Sequence, residues 1–255
     1  MKKILLISLM LFPYAYGSGQ KQQMTKPAIP EPVDQKMDPE VKIIQPGVRD
    51  NDAPSDAIVL FNGADINPEW EDSKGNPPKW IVKDGALIVV KGSGIIKTKR
   101  KFSNFQLHIE WKTPSDASGD GQWRGNSGVY FQELYELQVL DSYNNRTYRN
   151  GQAGAMYQQH APLVNVCRKP GEWQSYDIIF SAPVLSKDTN TYFTPPRVTV
   201  LQNGVLIQNN VSLRGPTDNG IPEYYINKHK HGPGSLVLQD HSIPVAYKNI
   251  WIREL

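Results

Sequence analysis

The sequence predicts an all-β fold, a two-sheet antiparallel sandwich of jelly-roll type, and three observations carry that reading. Short runs of alternating apolar and polar residues follow one another from Ala57 to Arg253, punctuated by Gly, Asn, Asp and Pro. Long stretches of helical periodicity are missing. Asp84-Gly85 and Asn203-Gly204 stand between apolar runs, where two-residue primed turns require positive φ at both positions, so both read as hairpins.

At the N-terminus, Lys2 and Lys3 precede an apolar run from Ile4 to Phe12, and Ala15 and Gly17 flank Tyr16. Residues 1–17 are therefore expected to be an export signal cleaved after Gly17, which would place the chain in the periplasm or outside the cell. The run is about half of the roughly 20 apolar residues that a membrane span needs, so no integral membrane segment is expected once the signal is removed. Residues 18–55 carry prolines at 27, 30, 32, 39, 46 and 54 and read as a linker or surface arm without a core. Residues 56–255, about 200 in number, fit one β domain.

Strands are expected, in order, at Ala57–Phe61, Trp80–Lys83, Ala86–Lys91, Phe105–Lys112, Ser127–Gln132, Tyr135–Asp141, Trp173–Ser181, Arg197–Gln202, Val205–Gln208, Ser235–Gln239 and Tyr247–Arg253. In the last, Ile250 and Ile252 point one way and Asn249, Trp251 and Arg253 the other, and the strand is expected beside Val59–Phe61. The single cysteine, Cys167, cannot form an internal disulfide, so packing must hold the fold. The 28 basic and 25 acidic residues leave +3, too even a balance to argue for nucleic acid or an anionic membrane, and small neutral ligands fit better.

Arg124–Ser142 places the most polar chemistry on one strand pair. Val129, Phe131, Leu137 and Val139 form an apolar set, against Gly128, Tyr130, Gln132, Glu136 and Gln138 on the other parity. The two runs keep this segregation across a hairpin with a three-residue loop, Glu133–Tyr135, in which Gln132 faces Glu136 and Tyr130 faces Gln138. Glu136 and Gln138 then share a face roughly 6.6 Å apart. Asp141 has the opposite parity and joins them only through a β-bulge; otherwise it starts a turn. His108 and Glu110 share a face with Gln106 and are candidate ligands of a divalent metal or an acid/base couple, although two ligands alone favour a hydrogen-bonded histidine. His160, His229 and His231 read as surface residues.

The order of motifs resembles the 3-keto-disaccharide hydrolase family, a concanavalin-like sandwich whose members are also described as 3-keto-glucoside-1,2-lyases and 3-keto-2-hydroxy-glucal hydratases. The resemblance runs through LFNG (60–63), DGAL (84–87), FQLHIEW (105–111), NSGVYFQ (126–132), YELQVLDS (135–142), GAMY (154–157), PGEW (170–173), NGV (203–205) and LQDHSIPVAYKNIWIR (238–253). It spans nearly all of the chain after the arm. Two departures stand in loops: the turn before Tyr135-Glu136 has Glu133-Leu134 where the family commonly has Gly, and Ser242 follows LQDH where Gly is usual.

The resemblance implies an exported enzyme that cleaves 3-keto-glycosides of a small carbohydrate by β-elimination and hydration. Its chemistry needs a base at C2, donors for the enolate oxygen and an acid for the leaving oxygen, and no covalent nucleophile. Glu136, Asp141, His241 and Glu110 are the candidate catalytic residues, with Arg124, Asn126, Tyr130, Gln138 and Asp240 as substrate-binding residues. Trp123 beside Arg124 is a candidate stacking surface. The spacing E-x-Q-x-x-D resembles the catalytic strand of laminarinase-like sandwich glycosidases. A sandwich glycosidase using Glu136 and Asp141 as a carboxylate pair therefore stays open, as does a non-catalytic carbohydrate-binding module. His241 and Asp240 are expected at one pocket with Glu136 and Arg124.

Overall fold

The computed structural model describes residues 41–185, 192–217 and 232–255. The expected export signal, most of the arm, His229 and His231 lie outside the described residues. Contacts divide the chain into Met1–Lys42 and Ile43–Leu255, and the second unit holds every element below. No helix among the described residues is long and apolar enough to cross a membrane.

The first strands are β1 (Ile58–Phe61), β2 (Trp70–Asp72), β3 (Ile81–Lys83), β4 (Ala86–Ile88), β5 (Ile96–Thr98) and β6 (Phe105–Lys112). They are followed by β7 (Ser127–Phe131), β8 (Tyr135–Val139), β9 (Gln174–Ser181), β10 (Val184–Leu185) and β11 (Tyr192–Thr194). The last are β12 (Arg197–Gln202), β13 (Val205–Ser212), β14 (Val237–Leu238) and β15 (Ala246–Glu254). An eight-stranded antiparallel sheet runs β13-β12-β9-β6-β15-β4-β3, with β1 paired to β15. A five-stranded antiparallel sheet runs β2-β5-β14-β7-β8, and β10 and β11 form a small ribbon.

Alternation along the strands builds the core between the two sheets. Phe105, Leu107, Ile109 and Trp111 of β6 are buried on one side, and Val129, Phe131, Leu137 and Val139 of β7 and β8 are buried on the other. Phe105 meets Phe131 edge-on at 5.7 Å and Phe180 at 5.1 Å, which joins the sheets through aromatic contacts. The polar residues of each sheet consequently face outward on opposite sides of the sandwich.

Both predicted hairpin turns are present, with Asp84 and Gly85 at φ 51° and 72° and Asn203 and Gly204 at 53° and 79°. The terminal strand lies beside β1, Ile58 opposite Ile252. Its alternation is interrupted at Asn249, which has φ 46° where the pairing with β6 shifts register. That bulge lets Tyr247, Ile250 and Ile252 all enter the core while Lys248 and Trp251 fall on the outer face, where the Trp251 indole is buried against His108. The end of the arm is not free of the domain: the Asn51 carbonyl accepts hydrogen bonds from Asn249 Nδ2 at 2.8 Å and Trp251 Nε1 at 3.0 Å.

Candidate active site

The β7–β8 hairpin has a three-residue loop, but the loop is Gln132–Leu134 rather than Glu133–Tyr135. Phe131 faces Tyr135, Tyr130 faces Glu136, and Gly128 faces Gln138. The slide is by two residues, so the side chains of Ser127–Phe131 and Tyr135–Val139 keep the expected faces. The cause is local: Gln132 and Glu133 both adopt positive φ, 52° and 64°, and the turn closes with a hydrogen bond from Leu134 N to Phe131 O at 2.9 Å. Gln132 leaves the strand face altogether, and its Nε2 donates to Phe102 O at 3.1 Å.

On the outer face of this sheet Asn126, Tyr130, Glu136, Gln138, Tyr157, Thr217, Gln239 and His241 line a pocket of about 160 Å³. Glu136 is only 4% exposed. Burial pushes its carboxyl up to about 7, against the opposing effect of a hydrogen bond from the Tyr130 hydroxyl. Burial and the Glu136 charge together raise the Tyr130 phenol as well, which keeps it protonated as a donor. Tyr130 in turn accepts from Gln239 Nε2 at 3.1 Å, and Gln239 Oε1 has no protein partner among the described residues.

Gly128 makes the space that Glu136 occupies, since a Cβ there would lie 2.6 Å from Glu136 Oε1. Two other pocket residues are placed by the backbone of Glu136 itself. Tyr157 N donates to Glu136 O at 2.9 Å as Gly154–Tyr157 runs along the edge of β8, and Glu136 N donates to Thr217 Oγ1 at 3.1 Å. Tyr148 donates its hydroxyl proton to Tyr157 Oη.

Glu136, Tyr130, Asn126, Gln138 and His241 are thus brought together, although His241 lies about 100 residues along the chain from Glu136. Gln138 and Asn126 form the floor, with Gln138 Nε2 donating to Asn126 Oδ1 at 2.9 Å, Ser127 O at 3.2 Å and Val139 O at 2.9 Å. Those contacts use its donors within the protein, so its part is to hold the floor.

Five expected site residues, Asp141, Arg124, Asp240, Glu110 and His108, stand elsewhere. Asp141 turns inward, 1% exposed, and pairs with Arg124 through an Nε–Oδ2 contact of 2.7 Å that lacks the alignment of a hydrogen bond. Arg124 also donates to the Tyr143 carbonyl. No bulge brings Asp141 to the Glu136 face, because its Oδ1 accepts from Tyr143 N at 3.1 Å and starts a turn there. Asp240 shapes the loop after β14, accepting from Ser242 N at 2.7 Å and Gly94 N at 3.0 Å.

Glu110 and His108 lie on the outer face of the eight-stranded sheet, with the core between them and Glu136. Asp177 Oδ1 lies 2.6 Å from His108 Nδ1, whereas Glu110 Oε1 is 3.7 Å from Nε2, and the imidazole stacks on Trp251. Burial pulls the imidazolium down, but the Asp177 hydrogen bond and the Glu110 charge outweigh it and raise His108 to about 9. No cluster of three or more His, Cys, Asp or Glu among the described residues is placed to hold a metal. Of the other histidines, His160 is half-buried rather than a surface residue, its Nε2 2.8 Å from Ser212 O.

Comparison with known proteins agrees with this architecture. The model of the 3-keto-alpha-glucoside-1,2-lyase-like domain matches residues 56–253. A crystal structure from Parabacteroides distasonis ATCC 8503, provisionally named a glycosyl hydrolase, is similar at 49% identity and a TM-score of 0.80, over 86% of this chain and 93% of that one. A second, so named and from the same organism, has 21% identity and a TM-score of 0.55 over 78% and 94% of the two chains, and is similar in fold. No curated protein matches the chain. These findings support a carbohydrate-active, hydrolase-like protein with a β-sandwich fold, and the chain belongs to the 3-keto-alpha-glucoside-1,2-lyase-like family.

Proposed function

We propose that the protein is an exported enzyme that cleaves 3-keto-glycosides at the Glu136 pocket by β-elimination and hydration. The observation that carries this reading is a lone carboxylate: Glu136 is buried, raised to about 7, and is the one acidic residue among the described residues lining the pocket. A glycosidase that cleaves through an oxocarbenium-like state needs two carboxyl groups about 5 to 9.5 Å apart across the bond. The candidate second carboxylate, Asp141, is tied to Arg124 instead. Elimination needs a single base of pKa near the working pH.

In the proposed course Glu136 takes the proton from C2 of the keto sugar. The C2–H electron pair forms an enolate with the C3 ketone, and the hydroxyl of Tyr157, whose oxygen accepts from Tyr148, donates to its oxygen. As the ketone re-forms, a C1–C2 double bond appears and the glycosidic oxygen leaves with its electron pair, taking a proton from His241. Water then adds its hydroxyl to C1 and a proton returns to C2, which completes a net hydrolysis. Burial serves this chemistry because a carboxylate stripped of water is a stronger base than one on the surface.

Assay of the purified protein on matched glucosides with and without the 3-keto group tests the reading. Turnover of the keto substrate alone is expected. Turnover of both selects an ordinary glycosidase, and binding of both without turnover selects a carbohydrate-binding module. Export rests on the composition of Met1–Gly17, and recovery of a full-length chain still carrying Met1 from the native cell would argue against it.

A further inference from the structure

We infer that Trp123 forms, with His241, a leaving-group subsite at the mouth of the Glu136 pocket, which holds the ring of a cyclic aglycone. The inference rests on the proposed cleavage of a glycosidic bond inside that pocket. At about 160 Å³ the pocket is well below the roughly 300 to 1,000 Å³ of clefts that enclose a drug-sized ligand. It takes one sugar ring, and the group on the far side of the bond must lie outside, against whatever borders the rim.

Trp123 borders it. Its indole is 76% exposed, and its ring centre lies 6.1 Å from that of His241, which lines the pocket, with the planes 54° apart. An exposed indole costs hydration, and on a loose loop it would carry no meaning. Here the backbone beneath it is pinned. Gly121–Trp123 is a 3-10 turn closed by Trp123 N donating to Asp120 O at 3.1 Å. Asn145 clamps it by accepting from Gly121 N at 2.8 Å and donating to Gly121 O at 2.9 Å. Asn126, itself a floor residue of the pocket, donates to Gln122 O at 2.8 Å.

The backbone that carries the indole is therefore fixed relative to the floor before any ligand arrives, which lowers the ordering cost of stacking. A flat aromatic face suits the C–H face of a second sugar or an aromatic aglycone. His241 lies between this platform and the pocket, where the bridging oxygen of such a substrate would pass. Tyr148, the other exposed aromatic nearby, has its hydroxyl engaged with Tyr157.

The test compares Trp123→Ala and Trp123→Phe on a methyl 3-keto-glucoside and on a 3-keto-disaccharide. We expect Trp123→Ala to lower kcat/KM about tenfold for the disaccharide, mainly through KM, and less than about twofold for the methyl glycoside, with Trp123→Phe retaining most of the lost activity. Equal losses on both substrates, or none on either, would overturn the subsite. A second arm does not depend on the chemistry: calorimetric binding of unmodified disaccharide and methyl glucoside to the Glu136→Gln protein, with and without Trp123→Ala. A preference for the disaccharide that Trp123→Ala abolishes supports the subsite even where keto substrates are not turned over. Absence of that preference, or no binding of the disaccharide, counts against the subsite even where they are.

Discussion

Glu136 shows how one residue trades stability for basicity. Its folded carboxyl is raised to about 7 from an ordinary value of 4.5 because the loss of water outweighs the Tyr130 hydrogen bond. Between those values the folded state keeps a proton that the unfolded chain releases, so this group's effect is that stability falls as pH rises from 4.5 to 7. Glu136→Gln should therefore stabilise the protein above pH 7 by on the order of 1 to 3 kcal/mol and hardly at pH 4. Urea denaturation at both pH values checks this, and equal effects at the two would refute it. The same substitution should cost about 10² to 10⁴ in turnover. In the wild type, kcat/KM should rise with pH through about 7 as the base ionises. Gly128→Ala should cost nearly as much activity, because its new Cβ at 2.6 Å displaces the carboxylate. A crystal structure of that variant with Glu136 unmoved would contradict the steric account. At Arg124 the expected loss is of stability: Arg124→Ala leaves Asp141 buried and unpaired, at a cost of about 3 to 5 kcal/mol, read from the urea midpoint.

At the scale of elements, the outer face of β6 carries a second pH response of opposite cause. His108 is raised from 6.5 to about 9, so its contribution is fully present below pH 6.5 and is lost as pH rises through 9. Asp177→Asn should remove most of that contribution, and stability curves of wild type and variant should converge above pH 9; persistence of the full difference there would show that Asp177 acts by packing. This face also shows what period-two reading can and cannot recover. β6 and β12 run over the residues that alternation predicts, since long amphipathic strands write their face into sequence. β2 and β5, three residues each, have too few positions to show a period and were not foreseen. The β7–β8 register was legible to within a two-residue slide because parity alone fixes the face, while the turn residues Gln132 and Glu133 carry no glycine to mark their positive φ. The bulge belonged at Asn249 rather than beside Asp141, and only pairing partners reveal that.

The whole molecule sets two polar faces on opposite sides of one core, and sequence periodicity cannot say which strand belongs to which sheet. Glu110 and Glu136 therefore stand together among the catalytic candidates read from sequence, although the sandwich separates them. Tyr157 and Gln239 stood inside motifs that carried the family resemblance, yet their place beside Glu136 depends on backbone pairing across the fold; Thr217 had no local signal at all. What the assembled pocket supports is proton abstraction by one buried carboxylate. The most direct test is turnover of a 3-keto-glycoside in D₂O, with deuterium at C2 of the product read by NMR or mass spectrometry against an enzyme-free control. Elimination and hydration through Glu136 predicts deuterium at C2 well above the control, and its loss in Glu136→Gln. Cleavage that leaves C2 fully protonated would contradict the account.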